Sequence, residues 1–535
     1  MKRIPLADLG KDPFDVVVIG AGINGSGAVQ EIAARGYVVI GAGINGSGAV
    51  QEIAARGYRV LIVDKDDFSS GATNRSSRIL HCGLRHLAPG KSVWDFVWNP
   101  TRFWVACRNA KKSMDSRSQI AETMKPLVSP FHFCFPIYDD GPYAPWQVDV
   151  AFWLLDILGP GDLPLDYKRY THKNMDQVPF SKWMRDPQKL KGFAVFRDYQ
   201  FLSAERLVID TLKDCQRLGA VVRNYTECVG ARRTGDHWEL DLQDRHESSE
   251  SVTIKCRVVL NTSGPWGDQL TQRLTGITKR RMVGLKGIHI LVSLPQELAQ
   301  WGMMAINSEN ETLYCLPWKG MHYIGPTRTP YDQDLDSVVC TQKEVDWMLS
   351  EINLVIPKLN LTRKDVHYTY AGIQPLSCDP KDPKGTRQIR IHDLSDEGFP
   401  NMLMLTGGPI MTYRIIGSSL ADAVAKRISP SSSAQELSYF PSAVTEKIQK
   451  EQSGHSTGPL GATILKRIIE EEQTSSLIDL FFRRSDMGWD LDRGRVMLEP
   501  VAKIMAETLG WDDAQLQEQL NSYHSYIEGI FPPHR

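Results

Sequence analysis

Residues 17–37, VVIGAGINGSGAVQEIAARGY, recur letter for letter as residues 38–58. Each copy reads as a short apolar strand, a G-x-G-x-x-G turn and a helical stretch, AVQEIAARGY, that stops at Arg-Gly. Such a turn lets backbone approach a pyrophosphate and aims a helix N-terminus at the anion, which a fold needs once per nucleotide. In a doubly wound sheet the strand feeding the turn is central, so two identical strands compete for one slot. A solenoid needs about three or more units, and with two the repeat reads as an in-frame duplication of one βα unit.

The first copy offers Gly20, Gly22 and Gly25 after the natural lead-in DPFDVVVIG, and the second offers Gly41, Gly43 and Gly46. A dinucleotide site also needs a carboxylate about 20 residues beyond the first glycine, at the end of the next strand, to hold ribose hydroxyls. Asp64 closes RVLIVD 23 positions after Gly41, whereas the same step from Gly20 lands at Gly43. The second copy therefore carries the nucleotide grammar. The expectation is that one copy is displaced as an appended strand and helix, or left poorly packed, and that the first is the extra, with VVVIG an aggregation hazard if exposed.

A chain of 535 residues implies two or three domains. Its 62 basic and 63 acidic side chains leave a net charge of -1, which argues against nucleic acid as a partner. The nine cysteines form no CxxC pair and no Cys/His cluster, so neither a metal nor a redox dithiol is expected and a reducing, cytoplasmic setting is. No run approaches the roughly 18 apolar residues of a membrane span, and the N-terminus lacks an apolar signal core.

The rhythm of elements predicts an α/β chain. A doubly wound, Rossmann-like domain draws on residues 13–89, 196–270 and 376–428, with the duplicated unit at 17–58. Residues 90–195 and 271–375, richer in aromatics and proline, read as an inserted α+β substrate domain, and 436–535 as a C-terminal helical domain beyond the linker SPSSSAQE.

Several segments have a specific likeness. DKDDFSSGATNRSSRILHCGLRHL (64–87), VLNTSGPWGDQL (259–270), LKGIHILV (285–292), YAGIQPL (370–376) and LTGGPIMTYR (405–414) resemble the aerobic, FAD-dependent glycerol-3-phosphate dehydrogenases of the D-amino-acid-oxidase-like superfamily. FFRRSDMGWD and the run from VAKIM to LNSY look like that family's helical tail. The resemblance implies a glutathione-reductase-type FAD-binding domain. It also implies oxidation of the secondary alcohol of glycerol 3-phosphate or a related polyol phosphate by hydride transfer to flavin. Electrons would pass to quinone or another acceptor, on a peripheral membrane homodimer at the inner face.

By the same resemblance His289 handles the proton, Arg85 lies over the substrate and Arg387 binds its anionic end, for which a guanidinium fork suits phosphate. Ser76, Ser77 and Arg78 follow the turn that crosses the flavin ring. Thr262, Ser263 and Gly264 meet the adenosine half, and Gly407 and Gly408 let backbone approach the ring. The chain departs from the family at Gln374, in an arginine's catalytic place, and at Pro409, in a lysine's. It also has His86 for a tyrosine, and Arg328 where an acid is expected.

Those departures keep two alternatives open: an FAD oxidase or dehydrogenase of a hydroxy acid or amine, and a flavin-binding scaffold inactivated by the duplication. WQVDVAFWLLDIL (146–158) and Lys279–Arg280–Arg281 read either as a bilayer contact or as a core helix and a solvated charge run.

Overall fold

The computed structural model describes residues 1, 3–11, 14–20, 37–40, 42–87, 96, 98–247, 249–453 and 460–532. The strands of both copies, Val16–Gly20 and Tyr37–Ile40, lie in one seven-stranded sheet. From edge to edge its order is Arg390–Asp393, Met402–Thr406, Val258–Asn261, Val16–Gly20, Tyr37–Ile40, Val60–Asp64 and Val221–Arg223. All neighbours run parallel except Arg390–Asp393, which is antiparallel to Met402–Thr406.

The first copy's strand is not displaced, contrary to expectation. It is registered on Val258–Leu260 on one side and, through Ile19↔Val63 and Gly20↔Asp64, on Val60–Asp64 as well. Tyr37–Ile40 pairs with it at Val17↔Val38 and Val18↔Val39, and meets Val60–Asp64 at Tyr37↔Val60 alone. Identical strands have identical pairing capacity, so pairing alone cannot choose between them. Chain connection distinguishes the helices. Ile44–Ala55 leads through Gly57, at φ +85, directly into Val60–Asp64, the short link a right-handed crossover needs. The first copy's helical stretch and Gly41 lie outside the described residues.

Helix Ile44–Ala55 is crossed by Tyr413–Ala425 and flanked by Ala204–Arg217, covering the buried strand VLIVD. The crossing is glycine-tight. A Cβ on Gly417 would stand 2.4 Å from Gly48 O, and one on Gly48 would stand 2.8 Å from Tyr413 Cδ2.

A second, larger and mostly antiparallel sheet pairs Val128–Tyr138 with Leu190–Phe201 and Met282–Val292 with Val366–Asp379. The latter pairing puts His289 opposite Tyr370 and Leu285 opposite Gln374. This sheet crosses the boundaries drawn from the sequence. Leu190–Phe201 runs through 195/196, Val366–Asp379 runs through 375/376, and Ile79–Leu80 joins it at Tyr199 and Gln200. Long strands ignore composition shifts because pairing continues wherever backbone partners continue.

The C-terminal region is helical, with Ala462–Glu471, Arg495–Leu509 and Asp513–Ile530. Buried ion pairs fasten it to the nucleotide domain. Arg484 grips Asp67 with two bonds of 2.7 Å, and Arg206 holds Glu472 at 2.5 and 2.7 Å.

Helix Pro145–Leu158 is buried along one face and exposed along the other. Val148, Phe152 and Leu155 are buried, while Trp146, Val150, Trp153 and Ile157 are exposed by 54, 51, 63 and 59%. The basic triplet is not a free charge run: Arg281 is buried on Glu397 at 2.5 Å, and Lys279 reaches the same carboxylate at 3.2 Å.

Candidate active site

A cavity of about 920 Å³ lies between the two sheets. At its nucleotide side strand Val60–Asp64 delivers Asp64, where it accepts the Ala42 N–H at 3.0 Å and the Asp66 N–H at 3.1 Å. Burial, then the charges of Asp66 and Asp67, hold this carboxyl well above the usual range, against the pull of the two N–H bonds. Gly43 starts the helix with no side chain to cap it, Thr73 Oγ1 takes the Ile44 N–H at 3.2 Å, and the buried Asn45 Oδ1 has no partner among the described residues. Thr262, Ser263 and Gly264 line the same cavity from the end of Val258–Asn261. Gly46 does not line it. The close helix packing expected of Gly46 is seen at Gly48, which the spacing Gly46–Ser47–Gly48 could have disclosed.

On the opposite side stands His289, 2% exposed on strand Met282–Val292. Its ring stacks on Tyr370 at 4.5 Å and 14° and meets Tyr323 edge-on at 5.5 Å. Ser77 Oγ lies 3.0 Å from Nε2, and Nδ1 has no hydrogen-bond partner among the described residues. Burial, then the Arg78 guanidinium, push this imidazole down to about 3, so it is neutral at physiological pH. Ser76, Gln374, Gly408 and Pro409 line the cavity with it.

The cations divide into committed and free. Arg78 turns into a fully buried bidentate pair with Glu205 at 2.8 and 2.6 Å, its guanidinium carbon 4.4 Å from the Trp318 ring centroid and 5.0 Å from that of Trp489. Its guanidinium thus serves the fold beneath the Ser76–Ser77 turn. Arg328 lines the cavity but is paired to Glu311 at 2.8 and 2.7 Å, so it does not replace a lost cation. Among the described residues Arg85, from the short helix Leu84–Leu87, donates only to the Tyr314 hydroxyl at 3.1 Å, and Arg387 Nε is buried without a partner. His86 is held near 4 by burial and then by Arg85.

Gly407, at φ +74, belongs to the scaffold. Its Cβ position is 2.3 Å from Gln388 O, and it does not line the cavity, whereas Gly408 does. Sequence reasoning missed Tyr314, Tyr370 and His81, and it missed Arg108 and Lys112 of helix Pro100–Thr123, all but Tyr370 lining the cavity. Arg108 and Lys112 are four positions apart, and that spacing was the available signal.

Dinucleotide recognition requires a carboxylate at a strand end, an uncapped helix start and room for backbone approach. Asp64, Gly43 and the unpartnered Asn45 Oδ1 meet those needs at one end of the cavity, so the residues fit FAD. The other end is neutral imidazole plus unpaired guanidinium, suited to an alcohol that carries an anion.

Comparison with known proteins agrees. A glycerol-3-phosphate dehydrogenase of Synechocystis sp. is 28% identical over 587 aligned positions, covering 99% of this chain and 98% of the relative. An aerobic glycerol-3-phosphate dehydrogenase of Staphylococcus aureus is 26% identical, covering 79% of this chain and 68% of the relative. The glycerol-3-phosphate dehydrogenase from Bacillus halodurans, solved in complex with FAD, shares the fold with a TM-score of 0.69 at 18% identity, covering 98% of this chain and 96% of that one. Residues 37–423 match the model of the FAD dependent oxidoreductase family. That match spans most of the chain and takes in the second copy's glycine turn, Asp64 and His289, and by it this protein belongs to the FAD dependent oxidoreductases, an enzyme whose cofactor is FAD.

Proposed function

We propose that this enzyme oxidises the secondary alcohol of glycerol 3-phosphate, or of a closely related polyol phosphate, to the ketone. The observation that carries the reading is a neutral, buried His289 sharing one cavity with Arg85 and Arg387, neither of which has a carboxylate partner among the described residues. FAD, when bound, supplies the acceptor for the hydride.

The chain's own residues do the rest. Arg85 and Arg387 hold the anionic end and orient the carbinol carbon. His289, kept neutral by burial and by Arg78, accepts the hydroxyl proton on its imidazole, while the Ser77 hydroxyl and the stacked Tyr370 fix the ring plane.

The same reading covers the acceptor and location. Trp98 and Trp104 are 82 and 73% exposed, and the outer face of Pro145–Leu158 is tryptophan-rich and apolar. Trp146, Val150, Trp153 and Ile157 are spaced 4, 3 and 4 apart, one helical stripe. That composition suits the headgroup boundary of a bilayer, and no helix among the described residues is long and apolar enough to cross one. The protein then lies on the cytoplasmic face of a membrane and passes electrons to a quinone.

Anaerobic addition of glycerol 3-phosphate to the yellow holoprotein tests the chemistry. Bleaching of the flavin is expected, and oxidised flavin that persists while a hydroxy acid or amine bleaches it would overturn the substrate. Flotation with anionic vesicles, lost on W146S/W153S, tests the location; an equal float for parent and variant would refute it.

A further inference from the structure

Cations reach the cavity from two sides. On the sheet side, Gln374 and Pro409 present no charge, while Arg387, whose carbonyl accepts the Gly408 N–H at 3.3 Å, lines the cavity beside them. On the opposite side, helix Pro100–Thr123 presents Arg108, Asn109, Lys112 and Ser113, positions that fall on one helical face and all line the cavity. The helix is held there at both ends of this wall. Gly83, next to the helix that carries Arg85, is so close that its Cβ would lie 3.0 Å from Ala110 Cα, and the helix also packs on Ile410–Thr412, directly after Pro409.

Charge accounting points the same way. Among the described lining residues the one carboxylate is Asp64, at the nucleotide end. Arg78 and Arg328 are paired with Glu205 and Glu311, the latter shared with Lys384, and Arg75 donates to the Val338 and Ala371 carbonyls. Neither Arg108 nor Lys112 makes an ion pair or hydrogen bond among the described residues, whereas the neighbouring Lys111, which does not line the cavity, pairs with Asp115 at 3.0 Å. Two unpaired cations side by side, facing a cavity that already contains Arg85 and Arg387, repel one another unless an anion lies between them.

We infer that the substrate's phosphate is held from this helix by Lys112 and Arg108, together with Arg85 and Arg387, rather than by Gln374 or a side chain at Pro409. The assignment rests on the proposed phosphorylated substrate and names the residues that would decide its class: a phosphate monoester is bound and its unphosphorylated alcohol is not. Lysine acts here as a point charge and arginine as a fork, so the pair favours a compact dianion over a single carboxylate. Both side chains reach from an exposed helix face, so the grip should weaken with added salt.

The test compares the holoenzyme with R108Q/K112Q, K112R and K111Q in anaerobic flavin bleaching by glycerol 3-phosphate and by glycerol. The double variant should raise the half-saturating glycerol 3-phosphate concentration by roughly 100-fold, about tenfold for each charged hydrogen bond lost. Its flavin spectrum and its response to glycerol should not change. K112R should restore most of the affinity, and K111Q should behave as the parent. A parent-like value in the double variant, or an equal loss in K111Q, overturns the assignment. If glycerol 3-phosphate fails to bleach even the parent, the proposed substrate falls separately. Inorganic phosphate titrated against the flavin spectrum then decides the clamp: weaker binding in the double variant supports it, and equal binding overturns it.

Discussion

Moving the holoprotein from pH 7.0 to pH 4.5 should remove roughly 2–3 kcal/mol of stability at His289 alone. An unfolded imidazole takes up a proton near 6.5, whereas the folded one, buried and close to Arg78, does so only at about 3. Because the folded value is lowered, the unfolded chain binds more protons throughout the window between them. The contribution is full above 6.5 and is lost progressively as the pH falls toward 3. At pH 4.5 the unfolded ring is almost fully protonated and the folded one almost fully neutral, which gives the magnitude above. H289Q removes this titration. Urea midpoints of parent and variant, read by tryptophan fluorescence at both pH values, should therefore show the gap between them moving by roughly 2–3 kcal/mol in the variant's favour on acidification. His81 and His322, held near 3 and 4 by burial, titrate in both proteins and cancel. A gap that moves by less than about 0.5 kcal/mol, the usual limit of additivity, would refute a depressed His289 and with it the preformed neutral base.

Four further outcomes follow from the same structure. Replacing Glu205 with Leu leaves Arg78 buried against Trp318 and Trp489 with no counter-charge and should cost about 3–5 kcal/mol in urea unfolding. Gly417→Ala drives a methyl into Gly48 O and should lower stability by roughly 1–3 kcal/mol with loss of bound flavin, read by absorbance after gel filtration. Arg85→Gln should raise the half-saturating glycerol 3-phosphate concentration by about tenfold or more while leaving the oxidised flavin spectrum intact. Deleting residues 17–37 rejoins the DPFDV lead-in to the second copy's VVIG and should preserve flavin content with an equal or higher thermal midpoint; a colourless deletion protein would show that both strands are needed.

The nucleotide half was largely legible in the sequence because its chemistry is local. A glycine turn, a following helix and Asp64 at the next strand end lie within one βα unit, so spacing alone predicts their meeting. His289 was legible through its motif, but its state was not: neutrality comes from Tyr370, Tyr323 and Arg78, which arrive from three other segments. Arg78 shows the opposite limit. Its place beside Ser76 and Ser77 marks it for the cofactor, yet Glu205, 127 residues away, takes its guanidinium. Arg328 carried a similar expectation until Glu311 neutralised it.

What the sequence determined by itself was the kind of fold, its nucleotide grammar and the order of the segments, because short-range spacing and hydrophobic period depend only on neighbours along the chain. The tertiary structure alone decided three things. It let the first copy's strand keep a central place, since identical strands differ only in what they are connected to. It sorted the arginines into paired and unpaired, since ion pairing is a matter of distance across the fold. It turned Trp146 and Trp153 outward and Arg108 and Lys112 toward the cavity, since a helix face acquires a direction only when something packs against its opposite side.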